Sequence, residues 1–304
     1  MLKVVQSEKV IWIDILKPTE EDVKYLEDNF FFHPFILKSI IPPIRHPRFE
    51  NYGDYLFLVL HYPFFEKRCR ETKPRELDIL VTKNTLITIH YHTILPLRAF
   101  FTRLSLYDNE KEEFTDEGVG EVLYRFLNEI LKASFPKLDR IDEKIDNIEK
   151  EVFQSKQKEV IKEISILKHD LIDFQRIIQP QSAVFEGLKQ TSGKFFGEHF
   201  YPYFNELFNC FLTIKEVLQT HHQTLNELEE TNSNFLSTRT NEIIKILTIF
   251  TVVLTPLALI ANVFGMNTTY LPFTENISGF WIVIGLMLFS AILMIAYIKK
   301  KKWI

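Results

Sequence analysis

Charged residues are spread along most of the chain, yet none occurs in 246–264 or in 280–298. Each stretch is 19 residues long. A helix of that length rises about 28 Å at roughly 1.5 Å per residue, close to the hydrocarbon thickness of a bilayer. A soluble helix normally keeps a polar stripe, whereas the second stretch is apolar all round except at Ser290 and Tyr297. Both are therefore read as membrane spans. Lys299, Lys300, Lys301 and Lys302 follow the second, while 265–279 holds no Lys or Arg and one charge, Glu275. Basic flanks stay on the cytoplasmic side, so the tail is expected in the cytoplasm and the loop outside. The opening Met1-Leu2-Lys3-Val4 lacks the apolar core of a signal peptide, which places residues 1 to about 240 in the cytoplasm as well.

Before the spans the period of the pattern changes. Runs rich in β-branched and aromatic residues at 10–15, 55–62, 77–82 and 85–91 read as strands, the last two joined by Lys83-Asn84 as a hairpin. Thr19 and Asp22 have the spacing of a capping box, predicting a helix to about Asn29. From about Glu117 the period becomes helical. Leu138, Ile141, Ile145, Ile148 and Val152 form a seam spaced three and four apart. Val160, Ile164, Leu167, Leu171, Phe174 and Ile178 repeat it after a polar break at 154–158, predicting an antiparallel helical hairpin whose second arm Pro180 interrupts. A third seam, Phe204, Leu207, Phe211, Ile214, Leu218, Leu225, Leu228 and Phe235, runs on into the first span. One helix from near Tyr203 to near Phe264, about 90 Å long, is expected.

The fold class is thus an α+β cytoplasmic domain at 1–116 and a long-helix coiled-coil and stalk region at 117–242, followed by two C-terminal transmembrane helices. The first span is assigned to 243–264, the outer loop to 265–279, the second span to 280–298 and the basic tail to 299–304.

Continued into the first span, the heptad selects Asn241, Ile244, Thr248, Thr251, Thr255, Ala258 and Asn262. One helix face therefore collects three threonines and two asparagines. Facing lipid, such groups cost free energy; facing one another around an axis, they bond across helices or line water. A packing interface and a pore both satisfy them. Two spans are too few to enclose a polar path, so the pore reading requires a symmetric ring of subunits.

Composition removes other classes. A net charge of −4 leaves no electrostatic footprint for nucleic acid. Cys69 and Cys210, without metal-ligand spacing, read as free thiols. No Walker loop, Ser/His/Asp elbow or cluster of catalytic carboxylates is recognisable, so the chain is not read as an enzyme. His90 and His92 fall on one face of an expected strand and His221-His222 on the stalk; two imidazoles without a third ligand read as structural groups. Of these, a ring of His221 at a heptad core position is the stronger metal reading.

The first span ends in Phe264-Gly265-Met266-Asn267, with Leu271-Pro272 close behind. Gly265-Met266-Asn267 between two C-terminal spans, with a Lys-Lys-Lys-Lys-Trp tail, resembles the CorA family of magnesium transporters. The resemblance extends to Thr240-Asn241-Glu242, Pro256, the acidic helix around 141–151 and the segment from His46-Pro47-Arg48-Phe49-Glu50 to Leu60. It implies a homopentamer in the inner membrane, a cytoplasmic funnel, and first spans lining the pore. Gly265, Met266 and Asn267 would form the selectivity filter, Ile244 and Leu247 an apolar gate, and Asn241 the cytoplasmic mouth. Cytoplasmic Mg2+, at once substrate and regulatory ligand, would bind at Glu206 and Glu230, partnered by Glu66 or Asp54; no other cofactor is implied. The chain departs from the family pattern at Phe264, where Tyr is frequent, at Asn262, where a small residue is frequent, at Leu271-Pro272-Phe273-Thr274, where Met-Pro-Glu-Leu is common, and at Glu206 and Glu230, where Asp is usual.

The chemistry of the ion agrees. Mg2+ gives up water reluctantly, so a ring of Asn267 amides and Gly265 carbonyls suits its hydrated form, with Glu275 adding negative potential outside. Co2+ is a second cargo. The alternatives are a proton-coupled zinc transporter of the same superfamily and a non-transporting coiled-coil membrane scaffold.

Overall fold

The computed structural model describes residues 2–41, 43, 46–66, 71–153, 157–266 and 277–301. Cys69, Asn267 and Glu275 lie outside the described residues. The chain forms two compact units, residues 1–229 and 230–304.

The first unit opens with β1 (Leu2–Gln6), β2 (Ile11–Leu16), α1 (Glu20–Asn29), α2 (Pro34–Ser39), β3 (Arg48–Asn51), β4 (Leu56–Glu66), β5 (Glu71–Val81) and β6 (Thr85–His90). The strands make one sheet in the order β1-β2-β6-β5-β4-β3, parallel only between β2 and β6. Its central strands alternate between two cores, as the two-residue period of a strand dictates. Leu56, Leu58 and Leu60 enter one core; Phe57 and Val59 enter the other, with Ile36 and Leu37 of α2 and Leu26 of α1. Burial on both faces explains the nearly continuous apolar runs. The capping box is present: Asp22 N–H donates to Thr19 Oγ1 at 3.3 Å and Thr19 N–H to Asp22 Oδ2 at 3.0 Å.

Helices follow: α3 (Leu95–Leu106), α4 (Asp108–Thr115), α5 (Val119–Lys132), α6 (Phe135–Phe153), α7 (Gln157–Ile178), α8 (Ser182–Phe196), α9 (Tyr201–Phe264) and α10 (Ile277–Lys300). Trp12 anchors α3 and α5 to the sheet, its ring centroid 5.7 Å from Phe100, 5.0 Å from Phe101 and 5.5 Å from Phe126. Its indole N–H donates to Thr88 Oγ1 at 3.1 Å, and Thr88 donates to Asp14 at 2.7 Å, so the polar edge is satisfied inside the core. The seam residues of α6 and α7 are all buried in this same core, as are Phe204 to Leu228 of α9. At Pro180, α7 gives way to a single 3-10 turn, Gln179–Gln181, before α8 begins.

Beyond His90, β4 and β5 continue as a two-stranded ribbon, paired from His61 with Glu76 to Glu66 with Glu71. Side chains fasten it to the helices. Gln181 Nε2 donates to the His61 carbonyl at 2.8 Å while its Oε1 accepts the His61 N–H at 3.2 Å, imitating a neighbouring strand. Thr72 donates to Asp170 of α7 at 2.6 Å and accepts from Lys137 of α6. Burial pushes the Lys137 ammonium down to about 8, with Lys144 adding repulsion and Asp170 opposing. A lowered lysine means the unfolded chain holds a proton that the folded chain has released, so stability rises with pH between about 8 and the ordinary lysine value of 10.5. Lys137→Met should flatten that part of the pH–stability profile, read as the difference in apparent Tm between the two proteins.

Candidate pore and regulatory sites

In the unit 230–304, the most apolar window of α9 has 0% of its residues buried within the chain, and that of α10 has 6%. Both helices are long and apolar enough to cross a membrane. α10 starts at Ile277, so three residues assigned to the outer loop are helical, and it ends at Lys300. Phe280 and Trp281 pack edge to face at 5.6 Å at its first turn, and Tyr297 is exposed near its last, positions where amphipathic rings settle at bilayer interfaces.

Every heptad position of the stripe lies on α9 and outside any core of this chain. The threonines share one geometry: Thr248 donates to the Ile244 carbonyl at 2.8 Å, Thr251 to Leu247 at 2.9 Å and Thr255 to Thr251 at 2.7 Å. Each hydroxyl proton is thus spent on the helix backbone, and each oxygen keeps lone pairs for the outside. Asn241 and Asn262 are exposed at either end of this row, with Ala258 between. Ile244 and Leu247 are 53% and 65% exposed, apolar side chains with no cover from this chain. Pro256 contributes no N–H to the ladder, leaving the Val252 carbonyl without its helical donor.

The helix stops at Gly265, whose N–H still reaches the Ala261 carbonyl at 2.9 Å. A Cβ there would stand 3.0 Å from that same oxygen, closer than side chains normally sit, which accounts for glycine. Met266 follows, exposed.

Of the acids assigned to regulation, Glu206 and Glu230 are exposed. Glu206 accepts a hydrogen bond from Tyr124 of α5 at 3.3 Å, and the neighbouring carboxylate pushes the tyrosine up after burial has done so. Tyr124 is a neighbour 82 residues away that no local signal could have pointed to. Glu66 pairs with Lys73 at 2.9 Å, and Asp54 is exposed. Among the described residues no group of three or more His, Cys, Asp or Glu could hold a metal ion within one chain. Carboxylate oxygens are the ligand type a hard cation takes, and one of them alone does not make a site.

The expectation that His90 and His92 share a strand face needs correction. β6 ends at His90, so His92 does not share its strand face; instead His90 Nδ1 donates to the His92 carbonyl at 2.7 Å and Nε2 lies 3.2 Å from Asp14. His221 is buried beside Asp142 of α6, Nδ1 to carboxylate 3.7 Å, an intramolecular contact. Burial pushes its imidazole down, Asp142 opposing. Cys210 is a free thiol that burial pushes up, away from reactivity.

One long helix runs from the α/β unit into an apolar stretch that this chain does not cover, and a second such helix follows in sequence, the make-up of a membrane protein. Residues 7–300 match the family described as CorA-like Mg2+ transporter protein, and the chain belongs to that family of divalent cation transporters. It is 26% identical over 302 residues to the cobalt/magnesium transport protein CorA of Thermotoga maritima, covering 96% of this chain and 83% of the relative. The complete CorA magnesium transporter of Methanocaldococcus jannaschii shares its fold with a TM-score of 0.82 at 24% identity, over 98% of this chain and 93% of that one. The cytoplasmic domain of ZntB from Vibrio parahaemolyticus shares it with a TM-score of 0.64 at 14% identity, over 76% of this chain and 90% of that domain.

Proposed function

We infer that the protein is a homopentameric Mg2+ channel of the inner membrane, admitting Co2+ as a second cargo, with both termini in the cytoplasm. The observation that carries this reading is the row of back-bonded threonines on an uncovered helix face. A hydrated cation presents only O–H donors, and the row presents only acceptors. Five such rows around an axis form a path for Mg2+ that keeps its water, entered through Gly265, Met266 and Asn267 and closed by Ile244 and Leu247 when that ring dewets. Influx needs no nucleotide, since the potential favours a divalent cation by about 4.6 kcal/mol per 100 mV, twice the single-charge value. Cytoplasmic Mg2+ bound between subunits at Glu206 and Glu230 holds the channel shut.

Mg2+ uptake into proteoliposomes, compared at zero and millimolar-order internal Mg2+, tests this. Uptake should follow an imposed potassium diffusion potential and fall when internal Mg2+ is present. Thr251→Val, which exchanges the outward oxygen for a methyl, should cut it by about tenfold, the worth of one hydrogen bond to a charged group. Uptake of Zn2+ alone, rising with an imposed proton gradient at fixed voltage, would instead establish a proton-coupled zinc transporter.

A further inference from the structure

We propose that the cleft between the β4–β5 ribbon and α6 binds a nucleotide, its ring against the aromatic wall of β4 and its phosphates on Lys137, Arg140 and Lys144. The cleft has a volume of about 870 Å3, the size range of small-molecule sites. One wall is Tyr62, Phe64 and Phe65 of the ribbon. The opposite wall carries the three cations, spaced three and four residues apart and so aligned along one stripe of α6.

The charges are only partly balanced by the protein, through Asp170 beside Lys137. Among the described residues Arg140 and Lys144 make no ion pair or hydrogen bond. Of the two acids in the cleft, Glu66 pairs with Lys73 at 2.9 Å, and Asp170 accepts from the Thr72 hydroxyl at 2.6 Å while favouring the charged form of Lys137. Lys137 bonds Thr72, with its ammonium 4.3 Å from the Phe174 ring centroid and 5.6 Å from that of Phe65. Lys144 is close enough to repel it. Lys144 repels Lys137 in spite of Asp170, and an anion in the cleft relieves that cost.

The two walls together select the ligand. Inorganic phosphate would satisfy the cations and leave the aromatic wall in water. A fatty acid would cover the wall and meet one cation of three. A nucleoside di- or triphosphate has a flat ring for Phe65, which faces Lys137, and anionic oxygens that long cationic side chains on neighbouring helical spacings, about 5–6 Å each, can reach together. Its triphosphate tail is also a Mg2+ chelator, so such a site would let the soluble unit respond to the nucleotide pool.

Calorimetric titration of the full-length protein in detergent, in Mg2+-free buffer, with ADP, pyrophosphate and adenosine as probes, decides the matter. ADP should bind at least about tenfold more tightly than pyrophosphate and about a hundredfold more tightly than adenosine. Arg140→Gln with Lys144→Gln, both at exposed positions, should weaken ADP by about a hundredfold, tenfold per lost contact, with unchanged apparent Tm. No heat from millimolar ADP overturns the proposal, as does equal binding by the native protein and the double variant. ADP binding no better than pyrophosphate overturns the nucleotide assignment. If ADP fails to bind and the double variant breaks up the oligomer in light scattering, the three cations serve a contact between subunits. None of these readouts depends on ion flux, so they stand apart from the channel reading.

Discussion

Asn267→Ala is expected to abolish Mg2+ uptake in proteoliposomes, by well over the tenfold expected for one lost bond, while leaving apparent Tm and oligomeric state unchanged. Asn267 lies outside the described residues, and the expectation rests on its place in the sequence, directly after Gly265 and Met266, and on the pore proposed above. An asparagine amide oxygen can accept from a water held by Mg2+; alanine cannot. In a ring the loss repeats in every subunit, so the entrance changes from a wet polar collar to a bare one. At about 1.5–3 kcal/mol for each hydrogen bond to a charged group, loss of two already exceeds a hundredfold in rate. Asn267→Gln, which keeps the amide, should retain part of the activity. Unimpaired uptake by Asn267→Ala would sink the filter assignment and favour a membrane scaffold.

Trp12→Ala should produce the largest loss of stability. Trp12 is 1% exposed, contacts three phenylalanines and gives its indole N–H to Thr88. Truncation leaves a cavity among rigid rings and deprives Thr88 of its indole donor. Large-to-small changes of this kind cost about 3–5 kcal/mol. For a unit of this size that corresponds to an apparent Tm roughly 6–20 °C lower, measurable in detergent by intrinsic fluorescence or calorimetry. Trp12→Phe should recover most of it, because a ring still fills the site; a drop under ~2 °C for Trp12→Ala would show that β2 is not an anchor of this core.

The long helices were legible because their signal is local. Leu138 to Val152, Val160 to Ile178 and Phe204 to Leu228 keep one period, and each of those seam positions is buried. Thr19 and Asp22 announced α1 for the same reason: both partners lie within one turn. β1 and β3 were missed because neither carries a strong pattern, Val4 of β1 being 48% exposed and β3 half-buried at most positions. The first residues of β5, Glu71 to Pro74, look unlike a strand; they are one because β4 is already there to pair with. Helices α3 and α4 also escaped notice, α4 being too polar to show a face. At the candidate pore, the position of each threonine could be read from the heptad, but the direction of its hydroxyl could not. The nearness of Tyr124 to Glu206, and of Lys137 to Thr72 and Asp170, depends on tertiary packing and leaves no mark on spacing.

The back-bonded threonines have a consequence for anions and for pH. Chloride and phosphate need donors, and a row whose protons are all directed at backbone carbonyls has none to lend them. In the proposed pore the threonine stretch disfavours negative ions by hydrogen-bond polarity with no fixed charge along it, the amide donors lying only at its ends, at Asn241 and Asn262. Ion-sign discrimination built this way is little screened by salt, and it holds at constant strength from acid to alkaline conditions, because neither a threonine hydroxyl nor an asparagine amide titrates there.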